Sequence, residues 1–329
     1  MSNKLFETIT WTEKYRPTEL KSIYSHEFII KALTKCIKKK NLPHLLFYGP
    51  PGCGKTSTIF ALTKQLFPQD IWQDRILELN ASDERGINAV RHKIKNFAKN
   101  SVNNSNTNIP PWKIIILDEA DTMTNDSQFA LRRIIEKYSK ITRFCIICNY
   151  KNKIIEPIKS RCACFYFKSL SNIHIMKRLK YICKNENVKY NNEILENIIK
   201  ISRGDLRKTI NYVQMCYNTF GNEMSLATFN KIAGILPQEE LNNLFCFTKI
   251  DNIQDLIDKI DYYESNGYSL VNQIKNIYDY VIKLDIDVKK KGEICKKIVD
   301  IDYNLSKGCD ETIQFLRLFI FIKNKLILP

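Results

Sequence analysis

The stretch Gly49-Pro50-Pro51-Gly52-Cys53-Gly54-Lys55-Thr56 constrains this chain more than any other. It fits G-x-x-x-x-G-K-[ST], the phosphate-binding loop. Its glycines let the backbone turn with N–H groups pointing inward, which makes an anion-binding nest. Lys55 adds a positive charge for the outer phosphates, and the Thr56 hydroxyl is a ligand type that holds Mg²⁺. His44–Tyr48 before it is a short apolar run of strand type, and Ser57–Phe67 after it reads as a helix whose N-terminus meets the phosphates. Strand before and helix after separate this loop from a chance Gly/Pro turn. The stretch predicts binding of a nucleoside triphosphate.

The rest of the chain must build a scaffold around that loop. At 329 residues it is long enough for two or three domains, and its 44% hydrophobic content is ample for packing. No apolar run approaches the roughly 18 residues of a membrane span, so no membrane partner is expected. Met1-Ser2-Asn3-Lys4 lacks the basic-then-apolar pattern of a secretory signal, and with that start the 11 cysteines predict free thiols in a reducing compartment. The net charge of +16 fits a polyanion partner such as nucleic acid, and equally a general bias toward Lys, Asn and Ile.

Strands and helices alternate through the first half. A helix is predicted over 27–39, and Arg75–Leu79 reads as a second strand ending at Asn80. A helix follows from Ile87 to Lys99, with Ile87, Val90, Ile94 and Ala98 on one face. Arg91, Lys95 and Lys99 form a stripe beside that face, about 6 Å apart along the axis. With Arg85 and Lys93 also basic and no acid on the helix, the stripe is either a solvated face or a nucleic-acid contact. Ser101–Pro111 is Asn-rich and reads as a surface loop.

Lys113–Leu117 is a continuous apolar run, the pattern of a central parallel strand buried on both faces. It ends in Asp118-Glu119-Ala120-Asp121, on the edge where ligands bind in open α/β sheets. Asp118 is placed to help hold Mg²⁺, and Glu119 to polarise the water that attacks the terminal phosphate. Helix 127–138, strand 143–148, a short helix over 154–160 and a last strand near 164–167 complete the alternation. Cys145 and Cys148 point to opposite faces of a strand, so a shared zinc ion is not expected.

From Ser169 the pattern is helical only, and Gly234–Pro237 marks a second boundary. Met176, Leu179, Ile182 and Cys183 make one apolar face; Ile194, Leu195, Ile198 and Ile199 make another. Later faces comprise Ile253, Leu256, Ile257 and Ile260, then Leu270, Val271, Ile274, Ile277, Tyr278 and Val281. The last helix, 311–326, is apolar over most of its circumference, so it is covered either by another subunit or by its own bundle.

Together these motifs resemble the AAA+ ATPases and, within them, the small subunits of replication factor C, the eukaryotic sliding-clamp loader. The resemblance rests on Glu13-Lys14-Tyr15-Arg16-Pro17, the phosphate loop, Asn80–Gly86, Asp118–Asp121, Asn149, Ser160-Arg161-Cys162 and Gly204-Asp205-Leu206-Arg207. It implies an α/β plus all-α protein: a five-stranded parallel αβα sandwich over 1–168, a helical lid over 169–234 and a helical collar over 235–329. It also implies ATP and Mg²⁺ as ligands. Thr12 and Arg16 would line the adenine side, Asn149 would contact the γ-phosphate or the attacking water, and Arg207 would reach the phosphates from the lid. Ser57 belongs to the same site. Arg161 matches an arginine finger acting on the neighbouring subunit's ATP. Asn80 matches a residue that turns Glu119 away until DNA is bound, and Arg85, Arg91 and Lys95 fall on the helix facing DNA. Cys53 stands where the family often has Thr, and only its backbone is expected to matter. The implied partners are other loader subunits, the ring-shaped clamp and primer–template DNA, in the nucleus.

Two other readings use the same residues. A branch-migration motor would carry a winged helix at the C-terminus, where this chain shows amphipathic helices. A non-hydrolysing scaffold would not need Lys55, Asp118 and Glu119. GTP use is disfavoured, because Asn149-Tyr150-Lys151-Asn152 is not a guanine-reading motif.

Overall fold

The computed structural model describes residues 9–82, 87–99, 109–247 and 253–327. The chain divides into two compact units, 1–213 and 214–329.

In the first unit five strands form one parallel sheet: β1 (His44–Tyr48), β2 (Ile76–Asn80), β3 (Lys113–Asp118), β4 (Thr142–Cys148) and β5 (Cys162–Tyr166). Their order is β2-β3-β4-β1-β5. Parallel neighbours need a crossover, and helices supply it on both faces. Alternate residues of each strand feed different cores. Phe47, Ile114, Ile116, Cys145 and Ile147 pack with Leu33 of α2 (Glu27–Lys38) and Ile59 and Leu62 of α3 (Lys55–Leu66). Leu46, Ile115, Leu117, Phe144, Ile146 and Cys148 pack with Ile94 and Ala98 of one helix, Ile87–Lys99, and Leu131 and Ile135 of another, Asn125–Tyr138. Cys145 and Cys148 thus sit in separate cores, as the strand period requires. Burial raises the Cys145 thiol far above its ordinary range; burial, with Asp121 next, pushes Cys148 up to about 12.

Several boundaries differ from the sequence reading. Helix α3 starts at Lys55, two residues before Ser57, because the loop closes directly into its first turn. A short helix, α4 (Gln69–Arg75), takes residues read as loop and strand, and β2 therefore begins at Ile76. The helices already placed are α5 (Ile87–Lys99) and α6 (Asn125–Tyr138), followed by α7 (Glu156–Lys159). Thr124 caps α6 by accepting from Ser127 N at 3.3 Å, which sets its start two residues earlier than expected.

After β5 the first unit continues in α8 (Asn172–Asn185), α9 (Asn192–Ser202) and the start of α10 (Leu206–Phe220). In α8 Ile175 is buried where Met176 was expected; Leu179, Ile182 and Cys183 are buried as read. All four expected residues of α9 are buried. Arg203 and Gly204 at positive φ end α9 and turn the chain toward α10.

The second unit is helical: α11 (Leu226–Ala233), α12 (Gln238–Phe247), α13 (Ile253–Ser265), α14 (Leu270–Lys283), α15 (Val288–Ser306) and α16 (Glu311–Ile327). Its core joins Leu256 and Ile260 to Ile274, Ile277 and Val281, and to Ile294, Ile298, Phe315, Leu318, Phe319 and Ile322. Val271 and Tyr278, expected on that face, are 51% and 43% exposed. Tyr278 lies one residue, about 100°, round from Ile277, and Val271 sits in the first turn, beyond the packed stretch. Phe315, Leu318, Phe319 and Ile322 of α16 are buried in this core, and Leu316, Ile320 and Phe321 pack against it half-buried, while Ile313 is exposed.

Candidate functional site

Because all five strands run the same way, the segments that follow β1, β3 and β4 come out on one edge of the sheet. These are the phosphate loop, Asp118-Glu119 and Asn149.

The loop leaves β1 at Gly49, whose φ is 147°. A Cβ there would lie 2.0 Å from the Phe167 carbonyl oxygen, so only glycine lets the loop pass β5's end. Lys55 opens α3 and is buried. Its ammonium donates to Gly49 O at 2.7 Å, Pro50 O at 2.8 Å and Asn149 Oδ1 at 2.9 Å. A buried cation is held here by exchangeable oxygens, which an incoming phosphate can replace. Thr56 Oγ1 donates to Asp118 Oδ2 at 2.8 Å. A hydroxyl beside a carboxylate is a hard oxygen pair of the type Mg²⁺ takes, so these residues fit the ion. Glu119 adopts φ 54°, held by its N–H donating to Asp118 Oδ1 at 2.8 Å, and is exposed toward the cavity. Asp121 Oδ2 accepts from the N–H groups of Asn149 and Tyr150 at 3.3 Å each, tying the end of β4 to the acidic segment.

One cavity lies over this edge. Pro51 through Ser57 line it from the loop and α3, and Asp118, Glu119 and Asn149 line it from the sheet. Thr12 and Arg16 enter from the segment at α1 (Trp11–Lys14), and Arg207 from the first turn of α10. Arg16 pairs with Glu13 at 2.6 Å and lies over the Phe60 ring at 5.2 Å. Pro50 and Gly49 serve through their carbonyls rather than as lining. The Cys53 thiol is buried and donates to Pro50 O at 2.9 Å, while the Cys53 carbonyl lies 3.2 Å from His26 Nε2.

Arg161 is not brought to this cavity. It precedes β5, whereas the phosphate loop follows β1, its parallel neighbour, so the two lie a strand length apart, roughly 16 Å. Its guanidinium pairs with Glu136 at 2.5 Å and donates to Pro157 O at 2.6 Å; Glu136 also accepts from Arg132 at 3.1 Å. Asn80 stands beside Asp118 in register, with its Oδ1 taken by Ser82. Of the basic group, Arg85 lies outside the described residues. Arg91 and Lys95 lie on α5, where Lys95 is exposed.

Sequence reasoning missed several residues around the site. Gln128 is fully buried on α6; it donates to Lys153 O and accepts from Ile155 N, both at 2.9 Å. It thereby pins the segment joining Asn149 to α7 and Arg161. Arg178 and His174 of α8, with Tyr15 and Tyr24, also line the cavity. Burial lowers the Arg178 pKa, and nearby tyrosines partly offset that. Polar positions on a lid helix look like a solvated face in sequence, so no pattern marks them.

Known proteins fit this geometry. Residues 45–170 match the family described as ATPase family associated with various cellular activities, 177–217 an RCF1/5-like AAA+ ATPase lid domain, and 236–320 the replication factor C C-terminal domain. The chain is 42% identical to replication factor C subunit 4 of Homo sapiens, over 98% of this chain and 90% of that protein. It is 42% identical to replication factor C subunit 2 of Saccharomyces cerevisiae, over 95% and 92%. A solved Thermotoga maritima RuvB Holliday junction branch migration motor superposes with TM-score 0.52 at 17% identity, covering 71% of this chain and 80% of that one, and shares the fold. Phosphate loop, acidic strand end, lid and C-terminal helices all lie within these matches, and the chain belongs to the replication factor C small-subunit family of AAA+ ATPases.

Proposed function

We propose that this chain is an ATP-hydrolysing small subunit of a five-membered clamp loader, which opens a ring-shaped clamp and leaves it closed on primer–template DNA in the nucleus. The observation that carries the reading is the convergence of Lys55, the Thr56–Asp118 pair, Glu119 and Asn149 on one sheet edge. Lys55 exchanges its carbonyl partners for the outer phosphates of ATP. Thr56 and Asp118 would hold Mg²⁺, whose charge offsets that of the phosphates. Glu119 orients and polarises the water that attacks the terminal phosphorus, and Asn149 fixes the γ-phosphate or that water. Arg207 closes on the phosphates from the lid, while Thr12 and Arg16 flank the base.

Arg161, remote from its own chain's loop, serves the ATP of the neighbouring subunit. The transition state spreads negative charge over the γ-oxygens, and a guanidinium delivered across a closed interface stabilises it. Hydrolysis then depends on assembly. Residues 1–168, 169–234 and 235–329 act as nucleotide-binding domain, lid and collar. Arg85, Arg91 and Lys95 contact DNA phosphates, which makes binding sequence-tolerant and steeply salt-dependent. The test is Lys55→Ala, which should abolish ATP binding; unchanged nucleotide affinity would refute the reading. ATPase activity of the reconstituted loader, with and without clamp and DNA, then tests coupling.

A further inference from the structure

Tyr15 immediately follows α1, in the strap that lines the nucleotide cavity through Thr12, Glu13, Tyr15 and Arg16. Its hydroxyl donates to Glu186 Oε1 at 2.5 Å, and Lys14 Nζ pairs with the same oxygen at 2.6 Å. Glu186 stands at the C-terminal end of α8, 171 residues away, with its side chain 15% exposed. Higher on the same helix Arg178 donates to the Tyr15 carbonyl. Tyr181 meets the Tyr15 ring edge-on at 6.1 Å and carries the Arg178 guanidinium over its own face at 5.3 Å. Tyr15 is therefore clasped by three side chains of one lid helix. Burial, then the Glu186 hydrogen bond and charge, raise the Tyr15 phenol, so it remains a donor at neutral pH.

We infer that Glu186 is a positioning residue: it latches the strap to the lid and so sets how long a nucleotide stays in the cavity, without touching it. The inference rests on the nucleotide-binding reading above. Glu186 stands outside the cavity lining, whereas its partner Tyr15 and its helix neighbour Arg178 are part of it. A nucleotide held between strap and lid leaves only when one of them moves. The short charge-assisted bond from Tyr15, reinforced by Lys14 on the same oxygen, opposes that motion. Because the latch acts on the walls and not on the phosphates, it retains ATP and ADP alike.

The experiment measures dissociation of fluorescent N-methylanthraniloyl ATP and ADP from the full chain by stopped flow. The variants are Glu186→Gln, Tyr15→Phe and the pair together, each with a thermal melt of the nucleotide-free protein. Each single variant should speed release of both nucleotides on the order of tenfold. The double variant should release no faster than the faster single one, because both remove the same bond. Release within twofold of wild type from a variant whose melt is unchanged would overturn the latch. So would additive effects, or faster loss of ATP with ADP unaffected. Tyr15→Phe removes one oxygen and leaves Glu186 paired with Lys14, so it carries the test if Glu186→Gln does not fold. Normal wild-type binding that is lost in Lys55→Ala, with release from Glu186→Gln unchanged, defeats the latch alone. No binding by wild type defeats the reading of the cavity itself.

Discussion

Replacing Gly52 by alanine tests how closely the phosphate loop and the lid are fitted. Gly52 has φ 69°, a left-handed conformation that costs an L-residue roughly 1–2 kcal/mol. A Cβ built there would fall 1.9 Å from Asp205 Oδ1, 2.5 Å from its Cγ and 3.0 Å from its Cα. Rotating the carboxylate away would clear the first two contacts and leave the backbone one. It would also cost a cap, because Asp205 Oδ1 accepts from Lys208 N at 3.1 Å at the start of α10, and such caps contribute about 1 kcal/mol. Backbone and cap together make Gly52→Ala about 2–3 kcal/mol destabilising. Gly54→Ala is the control: φ is 94°, yet nothing lies within 4 Å of the added carbon, so it incurs only the backbone cost. Urea unfolding followed by tryptophan fluorescence reads the first unit selectively, since Trp11, Trp72 and Trp112, the chain's 3 tryptophans, all lie in it. In an Asp205→Ala background, where the cap is already gone, Gly52→Ala should incur only the backbone cost. Equal costs at positions 52 and 54, with the cost at 52 unchanged in the Asp205→Ala background, would refute the close fit of loop and lid.

Arg161→Ala should leave this subunit's own ATP affinity intact while slowing hydrolysis at its neighbour's site in the assembled loader on the order of a thousandfold. Loss of nucleotide binding by the isolated variant would instead mean that the finger acts within its own chain. His44 is held neutral, down to a pKa of about 4, by burial first and by Arg143 next; its Nδ1 accepts from Phe144 N at 3.1 Å. The unfolded chain takes that proton near pH 6.5, so stability is full above about 6.5 and falls with pH, flattening below about 4, with a loss of at most roughly 3 kcal/mol. Urea titrations across that range should show a shallower slope in His44→Gln, and identical slopes would exclude the histidine as the cause. Reversing Arg91 and Lys95 to Glu should reduce DNA-stimulated ATPase activity and flatten its salt dependence; stimulation at the wild-type level would mark the stripe as a solvated face.

The parts of this site that were legible in the sequence are those whose geometry is written in consecutive residues. Glycine spacing and the lysine after it dictate a turn, a nest and a helix start, so Lys55 and Thr56 could be placed before any fold was known. A continuous apolar run ending in acids likewise brings Asp118 and Glu119 to a sheet edge. Partners brought together by tertiary folding leave no such mark. Nothing near Arg161 identifies Glu136 as its counter-ion, nothing near Gly52 announces Asp205, and 171 residues separate Tyr15 from Glu186. Periodicity states which face of a helix is buried, but a polar residue at the border of that face looks the same whether it meets water or a neighbour. Gln128 shows the consequence: among the apolar residues of α6 it reads as an interruption, yet it is buried because three backbone groups at 123, 153 and 155 need its amide. The short helix α4 was missed for a related reason, since seven residues span barely two turns and carry too little period to outweigh the strand-like run that follows. The chemistry of the loop is thus local, while the devices that would hold nucleotide, lid and finger in place are relations between distant segments that only the folded chain creates.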